Sequence, residues 1–234
     1  MPNHPPRYPR STFSDRSDTS WEEGSFDRSE HSESRRLPEI RIAGGPAVEA
    51  LFRHDPYRVL RFFYAESKAR KVGRFCKTMA ERRLPYRMVP DAELEKIYGS
   101  PHHGGLVAIA SPKEEVLLTP KGLPELKQRA PIHFVLDGIG NPHNIGAIAR
   151  SLAFFGFKSL ILSDDPRQAG LSDATYRVAE GGLEALALYR AQDLEAFLKE
   201  ARKAFRITGT SLTRDARPLS ALTMSNTPRL ILLG

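Results

Sequence analysis

IHFVLDGIGNPHNIGAIARSLAFFGFKSLILS, residues 132–163, decides the fold. IHFVLDGI (132–139) is a nearly continuous apolar run, the pattern of a strand buried on both faces of a parallel sheet. The loop GNPHN follows, then a helix over 145–155 stopped at Gly156, then a second apolar strand at 159–163. Strand, helix, strand implies a right-handed crossover between parallel strands. A loop at the carboxyl end of such a strand, opening into a helix N-terminus, is where ligands gather in these sheets. The glycines exclude the dinucleotide fingerprint: Gly138, Gly140 and Gly146 are wrongly spaced, and Pro142 and His143 intrude. No phosphate-loop pattern occurs in the chain.

Working outward, helix 193–204, strand 206–211 and RLILLG at 229–234 continue the α/β alternation. Upstream, residues 112–130 carry three prolines and alternating charge and read as a linker with room for one helical turn. Residues 39–111 form a unit of their own. A short strand, a Gly-Gly-Pro turn and a helix from near Pro46 lead into strand 59–65 and a helix over 67–83 opened by Ser67. Strand PYRMVP, a short helix closed by Gly99 and strand GGLVAIAS complete it. Residues 1–38 lack periodicity of either kind and are expected to be disordered.

The 234 residues carry a net charge of +7, and its distribution matters more than its size. Residues 1–38 hold six Arg against seven acids, whereas 52–90 hold eleven Lys or Arg against Asp55, Glu66 and Glu81, a net of +8. Helical spacing turns Val72, Phe75, Cys76 and Met79 inward and leaves Lys68, Arg70, Lys71, Arg74, Lys77 and Arg82 on a basic surface suited to a nucleic acid, or simply to solvent. No apolar run is long enough to span a membrane, and no secretory h-region opens the chain. Asp15, Asp18, Glu22 and Glu23 argue against a mitochondrial transit peptide, so the cytoplasm is the expected location. The single Cys76 reads as a small buried residue. His102 and His103 are adjacent and point apart on a strand, so no metal site is expected; turn formation or an RNA contact suits them better. Asp164 and Asp165, followed by Pro166, read as turn residues.

Asn144, Gly146 and Arg150 stand in the spacing N-x-G-x-x-x-R, which resembles the first signature of the SpoU, or TrmH, family of RNA 2'-O-ribose methyltransferases; Asn141 stands where that family usually has Asp before Pro142. Independently of the resemblance, Gly146 and Arg150 are i and i+4 on one helix face, so the guanidinium can pass over a position without a side chain toward the loop, with Asn144 as the helix cap. Further elements occur in family order. Residues 39–111, with His102-His103-Gly104-Gly105, look like an L30e-like substrate-binding domain that binds RNA. Arg177–Gly182 (RVAEGG) resembles a stretch lining the RNA-facing cleft, Thr210–Leu212 a loop contacting the methyl donor, and Gly234 the first glycine of the second signature.

The resemblance implies a parallel-sheet α/β-knot (SPOUT) methyltransferase domain over 131–234, and methyl transfer from S-adenosylmethionine to a ribose 2'-hydroxyl of tRNA or rRNA. Arg150 and Asn144 are then the catalytic residues, and Thr210, Leu212 and Gly234 contact the cofactor. Lys68, Arg70, Lys71, Arg74, Lys77, His103, Arg177 and Glu180 contact RNA. A free guanidinium hardly ever deprotonates, so Arg150 stabilises charge rather than acting as base; the base stays open, with His143 a lesser candidate. No metal or membrane partner is implied. The family's remaining motifs, which form the knot and a homodimer interface, fall beyond Gly234, so the chain reads as C-terminally truncated and inactive alone. The rival reading is a non-catalytic RNA-binding protein with a vestigial second domain; a nucleotide-dependent oxidoreductase is disfavoured by the glycine spacing. Residues 1–234 by themselves are expected to bind S-adenosylmethionine negligibly, and titration calorimetry giving micromolar affinity would contradict this.

Overall fold

A computed structural model describes residues 38–221 and 226–234. The expectation for residues 1–38 therefore lies, apart from Pro38, outside the described residues. The first lobe is built from β1 (Ile40–Ala43), α1 (Gly45–His54), β2 (Val59–Tyr64), α2 (Gly73–Glu81), β3 (Tyr86–Met88), α3 (Asp91–Tyr98) and β4 (Leu106–Ala110). Its sheet runs β1-β4-β2-β3, antiparallel except for the parallel β2/β3 pair. Pro46 stands in the first turn of α1, where its missing N–H costs nothing, and Gly99 closes α3 in the left-handed conformation, φ 84°.

The helix expected over 67–83 is instead two pieces. Glu66–Lys71 winds as a 3-10 helix without a Ser67 cap, and α2 begins only after Val72. Val72 is buried and Gly73, the poorest helix former after proline, follows it, so the chain re-enters the helix there. The inward residues Val72, Phe75 and Met79 are buried as the spacing requires, with Cys76 partly so. Arg82 departs from the expected basic surface: its guanidinium donates to the carbonyls of Pro56, Tyr57 (2.8 Å) and Val59 (3.1 Å) and serves the fold.

The second lobe contains β5 (Glu115–Leu118), α4 (Leu123–Arg129), β6 (Ile132–Leu136), α5 (Pro142–Phe154), β7 (Ser159–Ser163), α6 (Asp173–Ala179), β8 (Ala187–Ala191), α7 (Leu194–Ala201), β9 (Arg206–Gly209) and β10 (Arg229–Leu233). Its six strands are all parallel, in the order β5-β8-β7-β6-β10-β9. Residues 112–130 are thus not a bare linker: EVLL joins the sheet as an edge strand beside β8, and α4 packs beneath it through Leu123 and Leu126. The edge position leaves Val116 and Leu117 exposed, which is why the run lacks the apolar density of a central strand. Alternate residues of the central strands serve opposite faces. Leu136, Leu160, Leu162 and Leu188 meet α5 and α6, while Val135, Ile161, Tyr189 and Leu230 meet α4 and α7.

The core under α5 and α6 continues without a break into that of the first lobe, taking in Ile42, Val48, Leu51 and Phe62. A buried polar knot crosses the same junction. The Arg58 guanidinium donates to Glu184 Oε2 at 2.6 Å and to the Ser111 carbonyl at 2.9 Å, with side chains 8% and 1% exposed for the ion pair. Lys113 reaches the Glu184 carbonyl at 3.0 Å, and its backbone N–H donates to the Tyr176 hydroxyl at 3.1 Å. Burial pushes the Tyr176 phenol up to about 12 and the Lys113 ammonium down. For tyrosine the sign is that of a raised folded-state value. The stabilisation is whole below pH 10 and is lost as alkali approaches 12.

Removing Arg58 leaves the Glu184 carboxylate buried with only the Lys113 ammonium, 3.8 Å away, as a charge partner. Arg58→Ala is expected to lower the urea-unfolding free energy by about 3–5 kcal/mol. A loss below about 1 kcal/mol in matched denaturation curves would show that the pair does not hold the lobes.

Candidate functional site

The carboxyl ends of β6, β9 and β10 come together where the strand order reverses. Asp137 N–H donates to the Leu233 carbonyl at 2.9 Å, and Thr210 N–H to the Leu232 carbonyl at 3.0 Å. Backbone approach is close here: a Cβ on Gly234 would lie 3.0 Å from the Asp137 carbonyl oxygen. Of the three residues expected to touch a donor, Thr210 and Gly234 therefore flank one edge, while Leu212 stands fully exposed in the loop beyond it. The Thr210 hydroxyl is already engaged with the Leu232 carbonyl at 3.2 Å.

The loop after β6 is held from the neighbouring loop. Gln168 grips Ile139 through both ends of its amide, accepting from Ile139 N–H at 3.1 Å and donating to its carbonyl at 3.2 Å. Beside it Arg167 forks onto Asp165, at 3.0 and 2.7 Å, and this guanidinium lowers the half-buried carboxyl to about 2. Asp165 thus works within the turn as its neighbour Pro166 suggests.

From that loop α5 starts earlier than the sequence suggests. Asn141, not Asn144, is the cap, accepting from the His143 N–H at 2.9 Å, with Pro142 in the first turn. Asn144 is consequently an exposed first-turn residue. It stands six positions before Arg150 in one continuous helix, so the two side chains leave the axis about 120° apart and do not share a face. Gly146 also serves differently from the expected clearance for Arg150. It is buried against α6, where a Cβ would lie 2.6 Å from the Thr175 carbonyl oxygen and 2.9 Å from Val178 Cβ.

Arg150 stands in a cleft of about 390 Å³ between the lobes. Its Nη1 is 3.1 Å from Glu180 Oε1, with side chains 57% and 48% exposed. Glu180 ends α6 in the left-handed conformation, φ 45°. Gly181 and Gly182 then form a floor without room for side chains: a Cβ would meet Ala50 Cβ at 2.6 Å and Arg150 Cα at 2.7 Å, respectively. The facing wall is α1, with Glu49, Arg53 and His54. Glu49 binds Arg53 at 3.2 Å and also Arg74 of α2, and these partners lower its carboxyl.

The remaining candidates scatter. Arg70, Lys71, Arg74 and Lys77 lie exposed on the first lobe, Lys68 half-buried with its aliphatic stem against Gly105, and Arg74 over the Phe75 ring at 5.0 Å. Arg177 on α6 is half-buried and its charge acts on Tyr98 of α3. His103 is buried, 6% exposed, and its Nδ1 accepts from the Gly105 N–H at 3.1 Å. It shapes the turn before β4 and is not available as an RNA contact. The α1 wall was missed from sequence: no site role was assigned there to Glu49, Arg53 or His54, and only the docking of α1 on residues 182–185 turns them toward Arg150. Among the described residues no three His, Cys, Asp or Glu side chains are grouped to hold a metal, and no helix is long and apolar enough to cross a membrane.

Residues 131–234 match the SpoU rRNA methylase family, and residues 41–116 match the RNA 2'-O ribose methyltransferase substrate-binding family. The 23S rRNA (guanosine-2'-O-)-methyltransferase RlmB of Pseudomonas aeruginosa is 30% identical, over 73% of this chain and 69% of that one. An uncharacterized tRNA/rRNA methyltransferase of Haemophilus influenzae is 28% identical, over 84% of this chain and 55% of its own length. The chain thus spans about half the length of this relative and of a similar Escherichia coli protein, 55% and 52%. The AdoMet-bound rRNA methyltransferase of Sinorhizobium meliloti shares the fold, with a TM-score of 0.63 at 19% identity, covering 84% of this chain and 70% of that one.

The packing of α5 on α6 tests the placement of Arg150. Gly146→Ala forces a methyl into the Thr175 carbonyl. It is expected to cost about 1–3 kcal/mol, with the melting temperature falling about 2–4 °C for each kcal/mol. An unchanged melting curve would mean the helices are not so closely apposed.

Proposed function

Because this chain belongs to the SpoU rRNA methylase family, we propose that the protein methylates a ribose 2'-hydroxyl in ribosomal or transfer RNA, using S-adenosylmethionine. The observation that carries the reading is Arg150, held in a cleft between the lobes by a helix that leaves the carboxyl edge of β6. The bound donor supplies an electrophilic methyl group. What the described residues contribute is position and charge.

The carboxyl edge fits one side of such a donor. Gly234 offers backbone without bulk, Thr210 a hydroxyl turned back onto the Leu232 carbonyl, Asp137 an exposed carboxylate, and Leu212 an uncovered apolar side chain of the kind a purine ring would mask. Arg150 binds the hydroxyl oxygen and stabilises the charge that grows on it as the proton leaves, keeping its own protons throughout. Asn144 faces away from Arg150 around α5, so we assign it to the loop side of the site. Arg70, Lys71, Arg74 and Lys77 grip phosphates on the first lobe, a role that fits their exposure and the charge excess of this lobe. Family resemblance supports a homodimer as the working assembly and the cytoplasm as its location.

The test is transfer of a labelled methyl group from the donor to ribosomal and transfer RNA by the full-length protein, with digestion to identify 2'-O-methylnucleosides. Arg150→Ala is expected to lower the rate at least about 100-fold while RNA affinity falls by no more than about tenfold, the worth of one hydrogen bond. RNA binding without any transfer by the wild type would instead support a non-catalytic RNA-binding protein, and full activity of Arg150→Ala would remove Arg150 from the site.

A further inference from the structure

Glu180 occupies a position where its side chain is a conformational liability. It is one of three described non-glycine residues with positive φ, with Arg83 and Asp193. A left-handed conformation costs an L residue roughly 1–2 kcal/mol, and a helix end of this shape ordinarily takes glycine. Asp193 recovers that cost locally, since its carboxylate caps α7 by accepting from the Ala196 N–H at 3.0 Å. Glu180 gives its own helix only a backbone N–H, on the Arg177 carbonyl at 3.3 Å, and its side chain nothing. Its carboxylate projects into the cleft toward Arg150, although the chain places two glycines immediately after it.

The contact with Arg150 does not explain the residue either. Both side chains are about half exposed, and an exposed pair of this kind is worth about 0–1 kcal/mol, no more than the strain. The two groups touch at 3.1 Å as an ion pair without an aligned hydrogen bond between them. A guanidinium N–H and a carboxylate oxygen so placed present a donor and an acceptor side by side, open to the same volume.

Resting on the proposed function, we infer that Glu180 and Arg150 together recognise the ribose 2'-hydroxyl. Arg150 donates to the hydroxyl oxygen and Glu180 accepts its proton in a hydrogen bond. Few groups satisfy both halves. A 2'-hydroxyl is donor and acceptor at once, a deoxyribose offers neither, and a 2'-O-methyl ribose has lost the donor. The pair therefore separates RNA from DNA and unmodified ribose from methylated ribose, and Glu180 carries the second distinction. The exposed pair is weak enough to open for the hydroxyl, which the buried Arg58–Glu184 pair could not do.

The experiment compares the full-length wild type with Glu180→Gly and Glu180→Gln, measuring affinity for a short oligouridine and for its 2'-deoxy and 2'-O-methyl counterparts, alongside thermal melting. Wild type is expected to prefer the unmodified RNA to the 2'-O-methyl form by about tenfold, the worth of one hydrogen bond to a charged group. Glu180→Gly is expected to melt no lower than wild type, since glycine relaxes the backbone, and to bind both forms alike. Glu180→Gln keeps an acceptor without the charge and is expected to fall between. A Glu180→Gly protein that still prefers unmodified RNA as wild type does, or one that unfolds well below it, would overturn the assignment and leave Glu180 a structural residue. Wild type that binds all three equally overturns it too, without touching the RNA-binding reading. Wild type that binds none removes both.

Discussion

The buried contact between Arg58 and Glu184 is the constraint on which the rest of the architecture depends. A carboxylate taken out of water is tolerable only with compensation, and here it comes from the other lobe and from Lys113 between them. Glu184 Oε1 nevertheless lacks a partner among the described protein groups. A pair of apolar side chains of like volume would cost less to bury. What the ionic version adds is direction. Arg58 must reach Ser111, Tyr176 and Glu184 together, and that fixes α1 against residues 182–185 in one arrangement.

From that arrangement the cleft follows. Gly181 sits where a Cβ would collide with Ala50, and Gly182 where one would collide with Arg150 Cα, so α1 and α5 approach the same two-residue floor from opposite sides. The separation between Arg150 and the α1 wall is set by glycines and by the buried pair, not by any contact across the opening. The same two residue types then serve opposite ends. At 8% and 1% exposure an Arg–Glu pair is a fixed joint; at 57% and 48% it is a contact that water, or a hydroxyl, can replace.

The parts of the fold legible in the sequence are those where burial leaves a dense apolar signature. SLILS and IHFVL could only be central strands, and both are. Errors arose where local pattern and tertiary demand part. GNPHN looked like loop through Asn144, yet Asn141 caps and Pro142 enters the helix, a start signal overlooked because asparagine and proline suit turns equally. EVLL, half-exposed at an edge, and ALYRA in β8 carry too little apolar contrast to stand out. Of the residues lining the cleft, Arg150 and Glu180 were singled out through the resemblance of their motifs, whereas Glu49, Arg53 and His54 were not. Nothing in α1 by itself tells which of its polar faces will look across a gap.

Charge organises what lies outside the cleft. Cations concentrate on the first lobe, while Asp137, Asp164, Asp165, Asp193 and Glu195 line an open recess of about 620 Å³ at the carboxyl ends of β6, β7 and β8. Asp193 N–H donates to Asp164 Oδ2 at 2.8 Å, and the Arg167 guanidinium holds Asp165 ionised by lowering its carboxyl to about 2. A polyanion drawn to the basic lobe meets repulsion if it drifts over that edge, at separations within one Debye length, about 8 Å in physiological salt. The molecule thus carries one side that attracts a polyanion and one that repels it. The boundary between them passes the cleft, where Arg150 faces Glu180 and Glu49 is shared between Arg53 and Arg74. Opposite charges set so close together cancel over longer distances, so a ligand at that boundary is discriminated by short-range hydrogen bonding.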